Sequence, residues 1–365
     1  MRQETAPIVV VENDVFLRVL QLVLDPTASA ERMAAFTEFF EHDLPDFPAW
    51  CADLRGELGG FHPADVRMVN SQEELREQLP GASAVVVESL EVRAEELAAA
   101  GESLKLVQKF GVILRNIDVL ACEAHGVTIR TQRRRANIAC AEHTLAMMLA
   151  MGRRLPETGN RISFEQLREA GFDPKLWDRR HTPTSGWARV PGLRLLYEST
   201  LGIVGMGEIG RELALRAAPF GMRSLYYQRT PLTPDEEKEH RVEYAPLDRL
   251  LAESDWVSVQ LPGNASTKDM LGSEQLALMK PDAILINTSR PEIIERKAIL
   301  AALDSGHLGG FALDTTYEIP GLGDDPMLSH SNVLITPWTA AQPRFNALSD
   351  LREVITGMAR ALEIG

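Results

Sequence analysis

The chain has 365 residues, a formal net charge of −14 at neutral pH, 45% hydrophobic residues and 25% charged residues. That length exceeds one ordinary core and predicts two domains. The acidic balance excludes a general binder of nucleic acid or of an anionic membrane, since both require a basic surface, so neither partner is expected.

The chain opens with Met1–Pro7, which lacks the apolar core of a signal peptide, and no stretch reaches the ~18–20 apolar residues of a membrane span. Ile8–Glu12 is β-branched and reads as a first strand. Phe16 to about Leu58 reads as helix interrupted at Pro26, Pro45 and Pro48. Alternation follows: a helix at Ser71–Gln78, a strand at Ser83–Glu88, a helix at Ala94–Ala100, and strands at Leu104–Lys109 and Val127–Arg130. Asn137–Arg154 is a long helical run, and the segment from about Pro156 to Glu198 reads as loop. Strands are then expected at Thr200–Val204, Ser224–Gln228, Trp256–Leu261, Ala283–Asn287, Gly310–Leu313 and Val333–Thr336. Between them lie helices at Glu208–Ala218, Pro246–Ala252, Ser273–Met279 and Ile293–Ser305, and an amphipathic helix closes the chain from Arg344 to Leu362. Such alternation predicts parallel sheets in two α/β units joined by the long helix, with a cleft between them for a small molecule. Cys51, Cys122 and Cys140 are an odd number without Cys-x-x-Cys spacing. Neither a disulfide framework nor a metal site is expected, and a cytoplasmic location fits.

Thr200-Leu-Gly-Ile-Val-Gly205-Met-Gly207-Glu208-Ile209-Gly210 is a hydrophobic strand, a tight turn and the start of a helix. Gly205 permits the turn, Gly207 lets the backbone approach a pyrophosphate, and Gly210 allows close packing of helix on strand. The amides at the helix start, around Glu208 and Ile209, supply donors and partial positive charge. This context makes the motif a dinucleotide-binding turn. The next strand ends in Gln228-Arg229-Thr230, where Gln228, eighteen residues beyond Gly210, stands where NAD-specific sites place a carboxylate for the ribose hydroxyls. Arg229 and the Thr230 hydroxyl suit a 2′-phosphate, so NADP is the expected cofactor. The alternative is that Arg229 stacks on adenine and NAD binds as well.

Around this turn the sequence resembles the D-2-hydroxyacid dehydrogenase family. The carriers are Asn116-Ile117-Asp118, Ala141-Glu142-His143, the glycine turn, Leu261-Pro262, Ile286-Asn287-Thr288-Ser289-Arg290, Ala312-Leu313-Asp314, and Asn332-Val333 with Thr336-Pro337. The resemblance runs from about Pro80 to the C-terminus. It implies an α/β fold of two Rossmann-like domains: a flavodoxin-like substrate domain (1–138 and 338–365) and a doubly wound, NAD(P)-binding parallel sheet (139–337). It also implies that Arg290 grips the substrate carboxylate and carbonyl, which a planar guanidinium can do. It places Thr288 and Asp314 beside the cofactor, although an Asp at a strand end could equally cap a loop, and puts the backbone around Val112 and Ile113 on the substrate carboxylate. It makes His143 a structural residue of the long helix, and a homodimer is expected.

Several positions depart from the family pattern. The family's acid/base histidine follows Thr-Pro, but here Trp338 follows Thr336-Pro337, and an indole cannot exchange a proton at neutral pH. The family's orienting glutamate lies five residues beyond the Leu-Asp aspartate, where this chain has Ile319, with Glu318 one position early. Pro291 replaces the glycine usual after the arginine and stiffens the loop. Glu318, Tyr317, Lys109 and His330 are the candidates for a substitute proton donor, His143 is not read as one, and the alternative is a substrate that needs little proton transfer, as in a direct hydride abstraction. In Arg130-Thr-Gln-Arg133-Arg134-Arg135 the family typically carries Pro and Gly, and Arg115 replaces a usual aspartate. This run is either a pocket for a second anionic group, centred on Arg134, or a solvated or subunit-contact face. The leading expectation is an oxidoreductase acting on a small anionic 2-oxo or 2-hydroxy acid with NADP(H), with a catalytic set of Arg290, Glu318 and Trp338. The competing one is a catalytically silent dinucleotide-binding regulator or scaffold.

Overall fold

The computed structural model describes residues 6–362. The ends of the expected substrate domain, 1–5 and 363–365, and all but the last two residues of Met1–Pro7 lie outside them. In chain order the elements begin β1 (Ile8–Glu12), α1 (Arg18–Leu24), α2 (Ala30–Phe40), α3 (Phe47–Gly56), β2 (Asp65–Val69), α4 (Gln72–Gln78), β3 (Ala84–Val87) and α5 (Ala94–Ala100). They continue through β4 (Leu106–Lys109), α6 (Val119–Ala124), β5 (Thr128–Arg130), the long α7 (Arg135–Gly152), α8 (Leu155–Thr158) and α9 (Phe164–Glu169). Next come β6 (Thr200–Val204), α10 (Glu208–Ala217), β7 (Arg223–Tyr227), α11 (Pro234–His240), β8 (Val242–Tyr244), α12 (Leu247–Glu253) and β9 (Trp256–Val259). The chain ends with α13 (Ser273–Leu278), β10 (Ile284–Asn287), α14 (Arg296–Asp304), β11 (Gly310–Asp314), β12 (Val333–Thr336) and α15 (Phe345–Ala361).

The chain divides into two units, one running from its start to Asn137 and resuming at Ala341, the other spanning Ile138–Ala340. The first holds a parallel five-stranded sheet in the order β2-β1-β3-β4-β5, the flavodoxin-like winding. Its strands β1 and β3 are buried on both faces, which is why they read as unbroken apolar runs. Val9, Val11 and Val86 face the layer of α1, α2, α3 and α15, while Val10, Val85 and Val107 face α4, α5 and α6. Each such fully buried side chain contributes roughly 1.5–3 kcal/mol.

Asp350, on α15, is 1% exposed and ties this unit together. It accepts from the Arg135 backbone N–H at 2.8 Å and from the Arg135 guanidinium at 2.7 Å, and so caps α7 from a distant helix. Asp350→Ala removes a buried carboxylate that holds the backbone N–H and the half-exposed guanidinium of Arg135. It is expected to lower stability by about 2–4 kcal/mol in urea unfolding; a loss below about 0.5 kcal/mol would show the cap to be dispensable.

The second unit holds a parallel seven-stranded sheet in the order β12-β11-β10-β9-β6-β7-β8. This is the doubly wound order with one strand added at the β12 edge. The winding reverses between β6 and β9, which pair with Ile203 opposite Ser258 and Val204 opposite Val259. Crevices at the carboxyl ends of strands at such a reversal are where ligands bind in this class of sheet.

Several elements differ from the sequence expectation. Pro48 does not interrupt a helix: it sits in the first turn of α3, behind the cap Asp46, where a missing N–H is harmless. The segment expected as loop contains α8 and α9, the latter opened by the capping box of Ser163 and Gln166. The edge strands β2 and β8 and the acidic helix α11 lack a clear apolar period. The long helix starts at Arg135 rather than Asn137 because Asp350 supplies its cap.

Candidate active site

The glycine turn stands at the reversal point. Gly205 has φ +107, and a Cβ there would lie 2.4 Å from the carbonyl oxygen of Gln260, just past β9. A Cβ on Gly210 would lie 2.3 Å from the Gly205 oxygen, so both positions exclude a side chain on packing grounds alone. Gly207 is different: a Cβ there would meet nothing within 4 Å. The protein itself leaves that space open, beside the start of α10, whose cap Gly207 offers no side-chain hydrogen bond. An open space over an uncapped helix start of this length fits a pyrophosphate, and Gly207, Glu208 and Ile209 are the residues that would hold it. Beyond β7, the Gln228 amide donates to the Thr230 carbonyl at 2.6 Å, while Arg229 and Thr230 are exposed.

Thr288 is not presented to solvent. It is buried in a network in which the Gln260 amide reaches the Ser258 and Thr288 hydroxyls, each at 2.9 Å, and the Thr144 hydroxyl of α7 lies 2.9 Å from that of Thr288. The network locks the middle of α7 onto the carboxyl edge of β9 and β10.

Past β10, Asn287 accepts from the backbone and hydroxyl of Ser289 and donates to the Arg290 carbonyl at 2.8 Å. This turn fixes the backbone that carries Arg290, and Pro291 opens a short 3₁₀ turn behind it. Arg290 is exposed and forms no ion pair among the described residues. Its guanidinium lies 5.3 Å from the ring centroid of Trp338. Trp338 is 45% exposed and has φ +59, a left-handed conformation unusual for a bulky side chain. Its backbone N–H donates to Thr336 at 2.9 Å. The residue in the family's histidine position thus lies against the arginine. One guanidinium nitrogen of Arg290 donates to the Ser289 carbonyl at 3.0 Å, and the aromatic face leaves the remaining in-plane N–H donors at the edge to bind an anion.

Asp314 is 1% exposed, and its carboxylate acts as the loop cap that the sequence reading held open. It accepts from the backbone N–H groups of Thr339 and Ala340, both at 2.8 Å, and from the Thr336 hydroxyl at 2.6 Å. Nε2 of His143 stands 3.1 Å from the Thr336 hydroxyl and 3.6 Å from Asp314.

The other candidate proton donors are engaged elsewhere. Glu318 pairs with Arg296 at 2.6 Å, and Arg296 also holds Asp325 at 2.8 Å, so the displaced glutamate serves an ion-pair cluster. The Tyr317 hydroxyl donates to the Ile294 carbonyl at 2.9 Å, and burial pushes its pKa up. His330 lies 3.5 Å from Asp304. The Lys109 ammonium donates to the Glu88 carbonyl.

In the first unit Val112 and Ile113 lie on the loop after β4, with Val112 exposed. The arginine run does not form one cluster. Arg135 is clipped to Asp350 and Glu353, and Arg133 is exposed. Only Arg134 turns onto the strand ends, where it covers the Phe110 ring at 4.3 Å and stands 4.0 Å from Glu88. Burial raises the Glu88 carboxyl above its ordinary value, against the opposing pull of Lys109 and Arg134.

Residues 145–340 match the family described as D-isomer specific 2-hydroxyacid dehydrogenase, NAD binding domain. The chain belongs to that family. It is 35% identical to a glyoxylate reductase of Korarchaeum cryptofilum over 67% of this chain and 69% of the relative. It is 31% identical to a D-3-phosphoglycerate dehydrogenase of Synechocystis over 80% of this chain, but spans only 49% of that protein's length. Among solved structures, the D-mandelate dehydrogenase of Rhodotorula graminis superposes with a TM-score of 0.56 at 22% identity, covering 98% of this chain and 94% of the other, which speaks for the fold. Within that family fold the Trp338–Arg290 stack and the His143–Thr336–Asp314 cluster are the features the linear sequence did not reveal. Both join side chains far apart in the chain, and neither carries a local motif.

Proposed function

We propose that this chain is an oxidoreductase interconverting a small anionic 2-oxo acid and its 2-hydroxy acid, with a preference for NADP(H). The observation that carries this reading is Arg290. It is an exposed guanidinium with no ion pair among the described residues, its backbone fixed by Asn287, past the carboxyl end of β10 in the sheet that carries the glycine turn. Bound dinucleotide supplies or accepts the hydride. Arg290 holds the carboxylate through its edge donors and polarises the adjacent carbonyl, and Trp338 steadies the guanidinium. The backbone around Val112 and Ile113 remains assigned to the substrate carboxylate, Arg134 to an additional anionic group, and Thr288 and Asp314 to the cofactor side.

The preference for NADP(H) rests on the neutral Gln228 and the exposed Arg229 and Thr230. A guanidinium and a hydroxyl there favour a 2′-phosphate, and no carboxylate replaces them at the end of β7. Arg229→Ala is expected to weaken NADPH binding at least about tenfold, equivalent to ~1.4 kcal/mol, and to leave NADH unchanged. Titration of cofactor fluorescence measures both, and equal losses for the two cofactors would assign Arg229 to adenine stacking instead. A cytoplasmic homodimer belongs to the same proposal. Cys51, Cys122 and Cys140 are buried and in no disulfide among the described residues, as suits a reducing compartment, and Leu176, Leu195 and Tyr197 leave apolar surface exposed.

A further inference from the structure

We infer that His143 supplies the proton that the family's histidine would deliver from position 338. The inference rests on the reaction proposed above and concerns only which side chain handles the proton.

Three observations lead to it. First, the indole at 338 is committed to Arg290 and has no exchangeable proton of suitable acidity. Second, His143 is placed as an acid/base group would be. Its Nε2 is 3.6 Å from the buried carboxylate of Asp314 and 3.1 Å from the Thr336 hydroxyl, which itself donates to Asp314 at 2.6 Å. A carboxylate held by two backbone amides orients the imidazole and balances its positive charge. Nδ1 makes no hydrogen bond with any described residue, so the ring keeps one nitrogen for exchange. Third, the cluster is next to the substrate anchor. Asp314 ends β11, whose Leu313 pairs with Asn287, three residues before Arg290, and Thr336 is two residues before Trp338. Glu318, Tyr317, Lys109 and His330 have no comparable place.

In the reductive direction the carbonyl carbon receives the cofactor's hydride. The new O–H bond forms as the imidazolium N–H bond of His143 breaks, its electron pair staying on the ring nitrogen. Solvent then returns a proton to the ring. Oxidation runs the same transfers backwards.

His143→Gln retains a side chain able to bond Thr336 but cannot exchange a proton. It is expected to lower kcat for 2-oxo acid reduction by about 10²–10⁴ while leaving NADPH affinity within twofold. Adding Trp338→His to that variant puts an imidazole back at the family's position and is expected to recover at least about tenfold of the loss, which a merely structural His143 would not allow. A kcat for His143→Gln within threefold of the parent protein overturns the assignment, as does a loss that Trp338→His leaves untouched. NMR of ring-labelled histidine provides a readout independent of turnover, with oxamate as a non-reacting 2-oxo acid mimic. The His143 ring signals are expected to shift on adding oxamate to the protein with NADP, and to stay put in Arg290→Ala. If the parent protein turns over no 2-oxo acid, the proposed reaction fails by itself, and the oxamate response decides His143: a ring that does not respond is not at the site.

Discussion

Arg290→Ala is expected to reduce kcat/KM for the 2-oxo acid substrate by about 10²–10⁴ while leaving NADPH affinity unchanged. Two charge-assisted hydrogen bonds to the carboxylate and carbonyl are each worth roughly 1.5–3 kcal/mol, and 1.36 kcal/mol is a tenfold change in rate. Arg290→Lys should recover only part of the loss, because an ammonium is a point charge without the planar fork. The backbone should not respond, since Asn287 shapes the turn through the carbonyl of residue 290 rather than through its side chain. Steady-state kinetics with a cofactor titration on each variant decide the matter. A variant that binds NADPH normally and reduces substrate within threefold of the parent would remove Arg290 from the mechanism.

The second large effect is at the glycine turn, where Gly207 and Gly205 should behave differently. Gly207→Ala places a methyl group where the protein has nothing within 4 Å. Its stability should stay within about 0.5 kcal/mol of the parent, while NADPH binding weakens at least tenfold because the pyrophosphate needs that space. Gly205→Ala pushes a methyl group against the Gln260 carbonyl and asks Ala to hold φ +107, so it should lose stability as well as binding. Thermal unfolding with a cofactor titration separates the two cases. Full NADPH affinity in Gly207→Ala would mean that the dinucleotide does not lie over the start of α10.

What could be read from the linear sequence follows the range of the forces involved. Central strands such as β3 and β6 are legible because burial on both faces forces continuous apolar residues, and the glycine turn is legible because it is local. The edge strand β8, with only Val242 buried, carries almost no pattern. The start of α7 was misplaced by two residues because its cap, Asp350, lies more than two hundred residues away. The candidate site divides in the same way. Arg290 stands out as a candidate through its motif, and the tryptophan at 338, where the resemblance leads one to expect a histidine, is visible by inspection. What took its place was not visible. The indole on the guanidinium, the diversion of Glu318 to Arg296, and the approach of His143 to Asp314 all arise from packing between separate strand ends. The arginine run shows how little adjacency in sequence says about surroundings: Arg134 covers Phe110 beside Glu88, while the next residue, Arg135, is clipped to Asp350 and Glu353.

The central claim is that an intact dinucleotide turn and an unpaired Arg290 together make this chain a working 2-hydroxyacid dehydrogenase despite Trp338. The most direct measurement follows the absorbance of NADPH during incubation with a panel of 2-oxo acids, including phosphorylated and dicarboxylic ones, and of NADP with the matching 2-hydroxy acids. The account predicts saturable turnover of at least one pair, abolished in Arg290→Ala. Tight NADPH binding with no turnover of any acid in either direction would contradict it.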